Sequence, residues 1–245
     1  NITKELIDSN GKDWVSLVAR DVAAWRTAEN NTISFMVKEF EMKRAASAYA
    51  KIATAKTGVI NTNKIHAYQY AEDIFRRNTV VPTGKNHGFV MFLDWSGSMS
   101  SNMKATLKQV FTLAMFCRRI QVPFEVYSFR DRVGSEIDYT KNDSKPAWSY
   151  KERDIGLTDV MLRNILSSRM NVAEFNTAMI NLWGVATSYG IRCEGYTGTP
   201  LNSAIVAAID VVNNFRALTK TEILNVIFLT DGESDGLSRP YKYSN

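Results

Sequence analysis

The chain has 245 residues, of which 45% are hydrophobic and 22% charged, the balance of an ordinary globular protein of one large domain, or one domain with an added module. No apolar run approaches the roughly 20 residues of a membrane span, and the polar, periodic opening predicts no secretory leader. The net charge of +5 is uneven: residues 1–87 hold 13 Lys/Arg against 9 Asp/Glu, and residues 88–245 hold 17 against 16. The excess is dispersed and carries no nucleic-acid-binding motif, so it reads as a solvated helical surface that at most favours an acidic partner.

Residues 1–87 read as helical and polar. Asp13 is placed to cap a helix with Trp14, Leu17, Val18, Val22 and Trp25 on one face, and that face needs a partner. A second helix is predicted from about Ser34 to Lys56, with Val37, Phe40, Ala48, Tyr49 and Ile52 as its stripe and Gly58 as its stop. Glu39 and Lys43 stand four apart in the favourable order. A short helix is expected from Thr62 to Arg77, then an extended piece at Thr79–Val81, then a turn-rich stretch from Pro82 to His87. His66 beside aromatics reads as a packed or surface residue.

From Gly88 the pattern changes. Phe89, Val90, Met91, Phe92 and Leu93 form a short run, apolar on both faces, that ends at Asp94, as a buried parallel strand does. Asp94, Ser96 and Ser98 then alternate in a loop at its carboxyl end, where open α/β sheets place ligands. A carboxylate and two hydroxyls are hard oxygen donors suited to Mg²⁺ or Mn²⁺. Ser100 to Ile120 reads as a helix, with Met103, Leu107, Val110, Phe111 and Ala114 on one face. Phe124 to Phe129 reads as the next strand, completing a strand–helix–strand unit.

The polar stretch from Arg130 to Thr158, with Pro146, Trp148 and Tyr150, reads as an edge hairpin or a long loop. Asp159 is expected to lead a short helical segment containing Met161, Ile165 and Leu166. Asn171 and Glu174 match a capping box ahead of a helix carrying Phe175, Met179, Leu182 and Trp183. A loop of glycines and threonines leads to Pro200 and a helix marked by Leu201, Ala204, Ile205, Ala208 and Val212. Leu224 to Leu229 is a second buried strand ending in an acid, Thr230-Asp231-Gly232. The predicted fold is α/β: a doubly wound, mostly parallel sheet flanked by helices, preceded by a helical N-terminal region at 1–86, with the sheet domain at 87–245.

Three loops therefore converge on one sheet edge: Asp94-x-Ser96-x-Ser98, Gly198-Thr199-Pro200 and Thr230-Asp231-Gly232. Helix capping alone accounts for the hydroxyls, but not for acids ending two buried strands, where an unpaired charge is costly. This pattern resembles the von Willebrand factor A (VWA) domain, whose DxSxS motif corresponds to DWSGSMS. The resemblance implies a metal-ion-dependent adhesion site holding Mg²⁺ (or Mn²⁺). Its ligands, direct or through water, would be Asp94, Ser96, Ser98, Thr199 and Asp231, completed by a partner's carboxylate. Thr199 is preferred to Thr197 because it directly precedes Pro200. The family continues past the TDG strand, so the resemblance implies that the C-terminal part of the domain is incomplete.

A helical N-terminal region before such a domain resembles the CobT subunit of aerobic cobaltochelatase. The stretch from Phe35 into DWSGSMS also resembles CobT-like proteins of T4-like phages. These likenesses imply a cytoplasmic adaptor that binds a MoxR/CobS-type AAA+ ATPase and presents a client protein, with oligomerisation left open. The acidic low-complexity segment common in CobT proteins is absent. The alternative is a structural or adhesive protein, such as a virion component, using the same site for protein contact. Independent catalysis is disfavoured: there is no P-loop, DWSGS is not GxSxG, and no base is placed beside the acids. The two cysteines, Cys117 and Cys193, form no CxxC or disulfide framework and fit a reducing compartment.

Overall fold

The computed structural model describes residues 2–50, 53–55, 61–70, 78–80, 86–131, 160–187, 197–232 and 234. The chain divides into two compact units, one formed by Asn1–Ile33 with Asn86–Asn245, the other by Ser34–Lys85.

Helix α1 (Ile2–Asn10) of the first unit ends at Gly11, and α2 (Lys12–Ala50) follows at once, its residues from Ser34 onward belonging to the second unit. Gly11 takes the left-handed conformation (φ 84°) that glycine adopts without steric cost, and its N–H donates to the Ile7 carbonyl at 2.8 Å. Helix α2 is one element of 39 residues, not the two helices expected. Between Asp13 and Gly58 no proline or glycine interrupts it, and Asn30, Asn31 and Thr32 are weak helix formers without being breakers. Asp13 accordingly sits in its first turn and does not cap it. The predicted stop at Gly58 lies outside the described residues.

Among the described residues the sheet has four strands, in the order β5-β4-β3-β6. Strand β3 (His87–Asp94) is central and parallel to both neighbours, β4 (Phe124–Asp131) and β6 (Ile223–Leu229). Strand β5 (Val160–Ser167) pairs antiparallel with β4. It replaces the helical segment expected around Met161, Ile165 and Leu166. A run of Met, Leu and Ile suits either state, and here pairing along β4 decides it. Gly88 admits a close approach: a Cβ there would meet Phe215 and Thr221 at 2.9 Å.

Side-chain alternation gives the sheet two apolar faces. Val90, Phe92 and Phe129 pack with Ala204, Ala208 and Phe215 of helix α5 (Leu201–Thr219). Phe92 stacks on Phe228 with ring centroids 4.8 Å apart. The opposite face meets α3 (Met103–Arg119) and α4 (Val172–Thr187), with Phe124 edge-on to Phe175. Helices on both faces make the sheet doubly wound. Asn171 and Glu174 form the expected capping box, each side chain accepting from the other's backbone N–H at 2.9 Å. The face of α2 that needed a partner finds it here: Val18 and Val22 are buried, and Trp25 packs against Phe111 and Trp183. Each such fully buried apolar side chain contributes about 1.5–3 kcal/mol.

In the second unit, β1 (Ala53–Ala55) pairs antiparallel with β2 (Asn78–Val80), confirming an extended piece near Thr79. Thr62–Ala67 is a 3₁₀ helix, tighter than the α-helix expected there, and the Asn61 side chain accepts from the Asn63 N–H at 3.2 Å. Among the described residues, no helix is long and apolar enough to cross a membrane. The expected hairpin or loop around Pro146, Trp148 and Tyr150 lies outside them, as does Cys193.

Candidate metal centre

The carboxyl ends of β3 and β6 lie side by side, and the chain leaves β3 towards α3 on one face but reaches β6 from α5 on the other. Such a switch of direction opens a crevice between neighbouring strands. Four of the predicted residues meet there. Asp94 is fully buried, and its Oδ1 accepts from the Ser96 N–H at 3.0 Å. Ser96 Oγ and Ser98 Oγ are 3.0 Å apart, and Ser98 Oγ donates to Asp231 Oδ1 at 2.9 Å. A hydroxyl has one proton. With Ser98's committed to Asp231, Ser96 donates to Ser98, and the three side chains form a directed line.

Short-range structure explains this line. Ser98–Ser101 form a 3₁₀ turn, so the predicted helix from Ser100 starts as α only at Met103. The turn brings the Ser98 hydroxyl back over Ser96. Asp94 and Ser96 lie inside, whereas Ser98 and Asp231 are exposed at the rim. The crevice thus has a buried floor and a mouth open to a partner group.

Thr199 is placed in the third loop, buried just ahead of α5, with its carbonyl accepting from the Leu201 N–H at 2.9 Å. That loop is tied to the first: the Gly97 N–H donates to the Thr197 carbonyl at 2.9 Å, and Ser96 bridges Thr197 in parallel fashion. The Thr197 hydroxyl turns to the Asp131 carbonyl at 3.2 Å.

One contributor escaped the sequence reading. Thr230 Oγ1 donates to Asp94 Oδ2 at 2.7 Å. Its signal was a hydroxyl residue just before the acid that ends a buried strand. Ser234 also braces the rim, its Oγ accepting from the Asn202 N–H at 3.1 Å.

Burial pushes the Asp94 carboxyl above the usual carboxylate range. Hydrogen bonds from Thr230 and Ser96 oppose this, and the negative charge of Asp231 adds to the rise. A buried carboxylate facing a second carboxylate is an arrangement that a bound cation stabilises. Among the described residues no three His, Cys, Asp or Glu side chains cluster, so the donors are two carboxylates and neutral hydroxyls. Such a set fits a small hard divalent ion that retains water, with Asp94, Ser96, Ser98, Thr199 and Asp231 available to hold it directly or through water. Bound there, the ion would supply Lewis acidity towards an incoming oxygen ligand. No protein-family model, curated protein or solved structure matches the chain.

Proposed function

We propose that this protein is a divalent-metal-dependent protein-binding module of the VWA type, which docks a partner's carboxylate at the Asp94–Asp231 crevice. The observation that carries the reading is the hydrogen-bonded line Ser96–Ser98–Asp231 beside the buried Asp94. It offers hard oxygen donors, a net negative charge and an open mouth, which suits a cation bridging two acidic groups. The chain's own residues hold and orient: hydroxyls and carboxylates are oxygen donors to a cation, which supports a binding role.

The partner proposed is a MoxR/CobS-type AAA+ ATPase in the cytoplasm, to which the chain would present a client. The order of a helical N-terminal region before the sheet supports this, together with the likeness of residues 35–100 to CobT-like proteins. Pull-down with a co-encoded AAA+ ATPase, in Mg²⁺ and in EDTA, tests it. The expected result is association in Mg²⁺ that EDTA or Asp94→Ala abolishes. Association indifferent to both would overturn the crevice as the contact.

A further inference from the structure

A partly open cavity of about 120 Å³ adjoins the loop that carries Asp94 and Ser96, through Trp95. Its walls come from α1, β4, β5 and α4: Ile165, Ala178, Leu182 and Val185 are apolar, Arg163, Asn164 and Asn181 bring polar groups, and Trp95 closes it on the side of the Asp94 loop. The lining is mainly apolar, and the volume approaches the roughly 150 Å³ of an apolar cavity able to hold benzene. It has room for one ring but not for a length of chain.

Trp95 stands between Asp94 and Ser96 in sequence. Its side chain is buried, its backbone N–H donates to the Phe129 carbonyl at 2.9 Å, and its backbone carbonyl accepts from the Thr197 N–H at 3.4 Å. The same residue therefore walls the cavity and ties two of the three loops together. Atoms facing a void lose dispersion contacts on that side. A ring seated in the cavity restores them for the indole and narrows the freedom of the loop carrying Asp94 and Ser96.

We propose that this cavity is a binding site for a small molecule carrying a single six-membered aromatic ring, and that its occupation tightens cation binding at the crevice through Trp95. The coupling half rests on the metal reading above. The two sites are then linked, and each ligand raises the affinity of the other by the same factor.

Phenol is the probe. The whole ¹⁵N-labelled chain is titrated with it, following the Trp95 indole and the Val185 amide by NMR, and Mg²⁺ affinity is then measured by calorimetry with and without saturating phenol. Saturable shifts at Trp95 and Val185 are expected, lost in Ala178→Leu, with Mg²⁺ bound about fivefold more tightly when phenol is present. Ile165→Ala, which enlarges the cavity, should retain the shifts and guards against an Ala178→Leu variant that fails to fold. No saturable shift up to the solubility limit of phenol, or shifts untouched by Ala178→Leu in a folded protein, would overturn the site. Phenol binding with unchanged Mg²⁺ affinity would overturn the coupling. Absence of any Mg²⁺ binding would defeat the metal reading and the coupling together, leaving the phenol titration to decide the cavity by itself.

Discussion

Thr230 Oγ1 donates a 2.7 Å hydrogen bond to Asp94 Oδ2, joining the end of β6 to the end of β3 across 136 positions of sequence. It satisfies a buried carboxylate oxygen and sets the distance between the two acid-bearing loops. Thr230→Val keeps the shape and removes the donor. The loss expected is about 1–3 kcal/mol of stability in EDTA, read by urea unfolding. An unchanged midpoint would mean that this bond carries no net stability.

Asp94→Asn removes the buried charge. Because the folded-state pKa of Asp94 is raised, the stability it contributes is full below the unfolded-state pKa and declines as pH rises through the folded-state value. In EDTA at neutral pH the variant should therefore melt above the parent, with the gap closing as pH falls towards the acid range. In Mg²⁺ the order should reverse, since only the parent gains from the ion. Thermal melts of both proteins across pH, with and without Mg²⁺, check this.

The first helices are part of the sheet unit's core. Leu6 is 1% exposed and lies against Gly184 of α4, where a Cβ would meet its methyls at 3.2 and 3.3 Å. Leu6→Ala should cost about 2–5 kcal/mol. Gly184→Val should also destabilise by forcing α1 away. Chemical denaturation followed by Trp fluorescence measures both, and a neutral Leu6→Ala would mean that α1 is dispensable.

Cys117 is fully buried on α3, and burial pushes its thiol up to about 12. The neutral thiol is favoured in the folded state, so its contribution to stability is lost only as pH rises beyond the ordinary thiol range towards that value. Iodoacetamide at pH 8 should leave Cys117 unmodified until the protein is unfolded, as read from the mass of its peptide. Ready labelling of the folded protein would contradict the packing of α3.

Much of this architecture was legible in the sequence because local and global preferences agree. Phe89 to Leu93 are apolar on both faces and end at an acid, as a buried parallel strand does, and Asn171 with Glu174 announced a helix start that the structure repeats bond for bond. Val160–Ser167 was misread because its side chains suit helix or strand alike, and its partner β4 lies beyond a long intervening segment. The break placed inside α2 failed for a related reason, since polar weak helix formers lower propensity without ending a helix. At the crevice, the acids and serines could be named from their positions at strand ends. The direction of the hydroxyls and the role of Thr230 depend on which strands become neighbours, and no local pattern encodes that.

The pairing of β3 with β6 also sets a timetable. Asp94 leaves the ribosome long before Thr230 and Asp231, which follow 136 and 137 positions later. At 5–20 residues per second that interval is roughly 7–27 s. For that time the apolar β3 lacks one parallel partner and its carboxylate lacks the Thr230 donor. The crevice comes into being only once β6 has docked on β3, so Asp94 waits for its Thr230 donor until the chain has been made at least through Asp231.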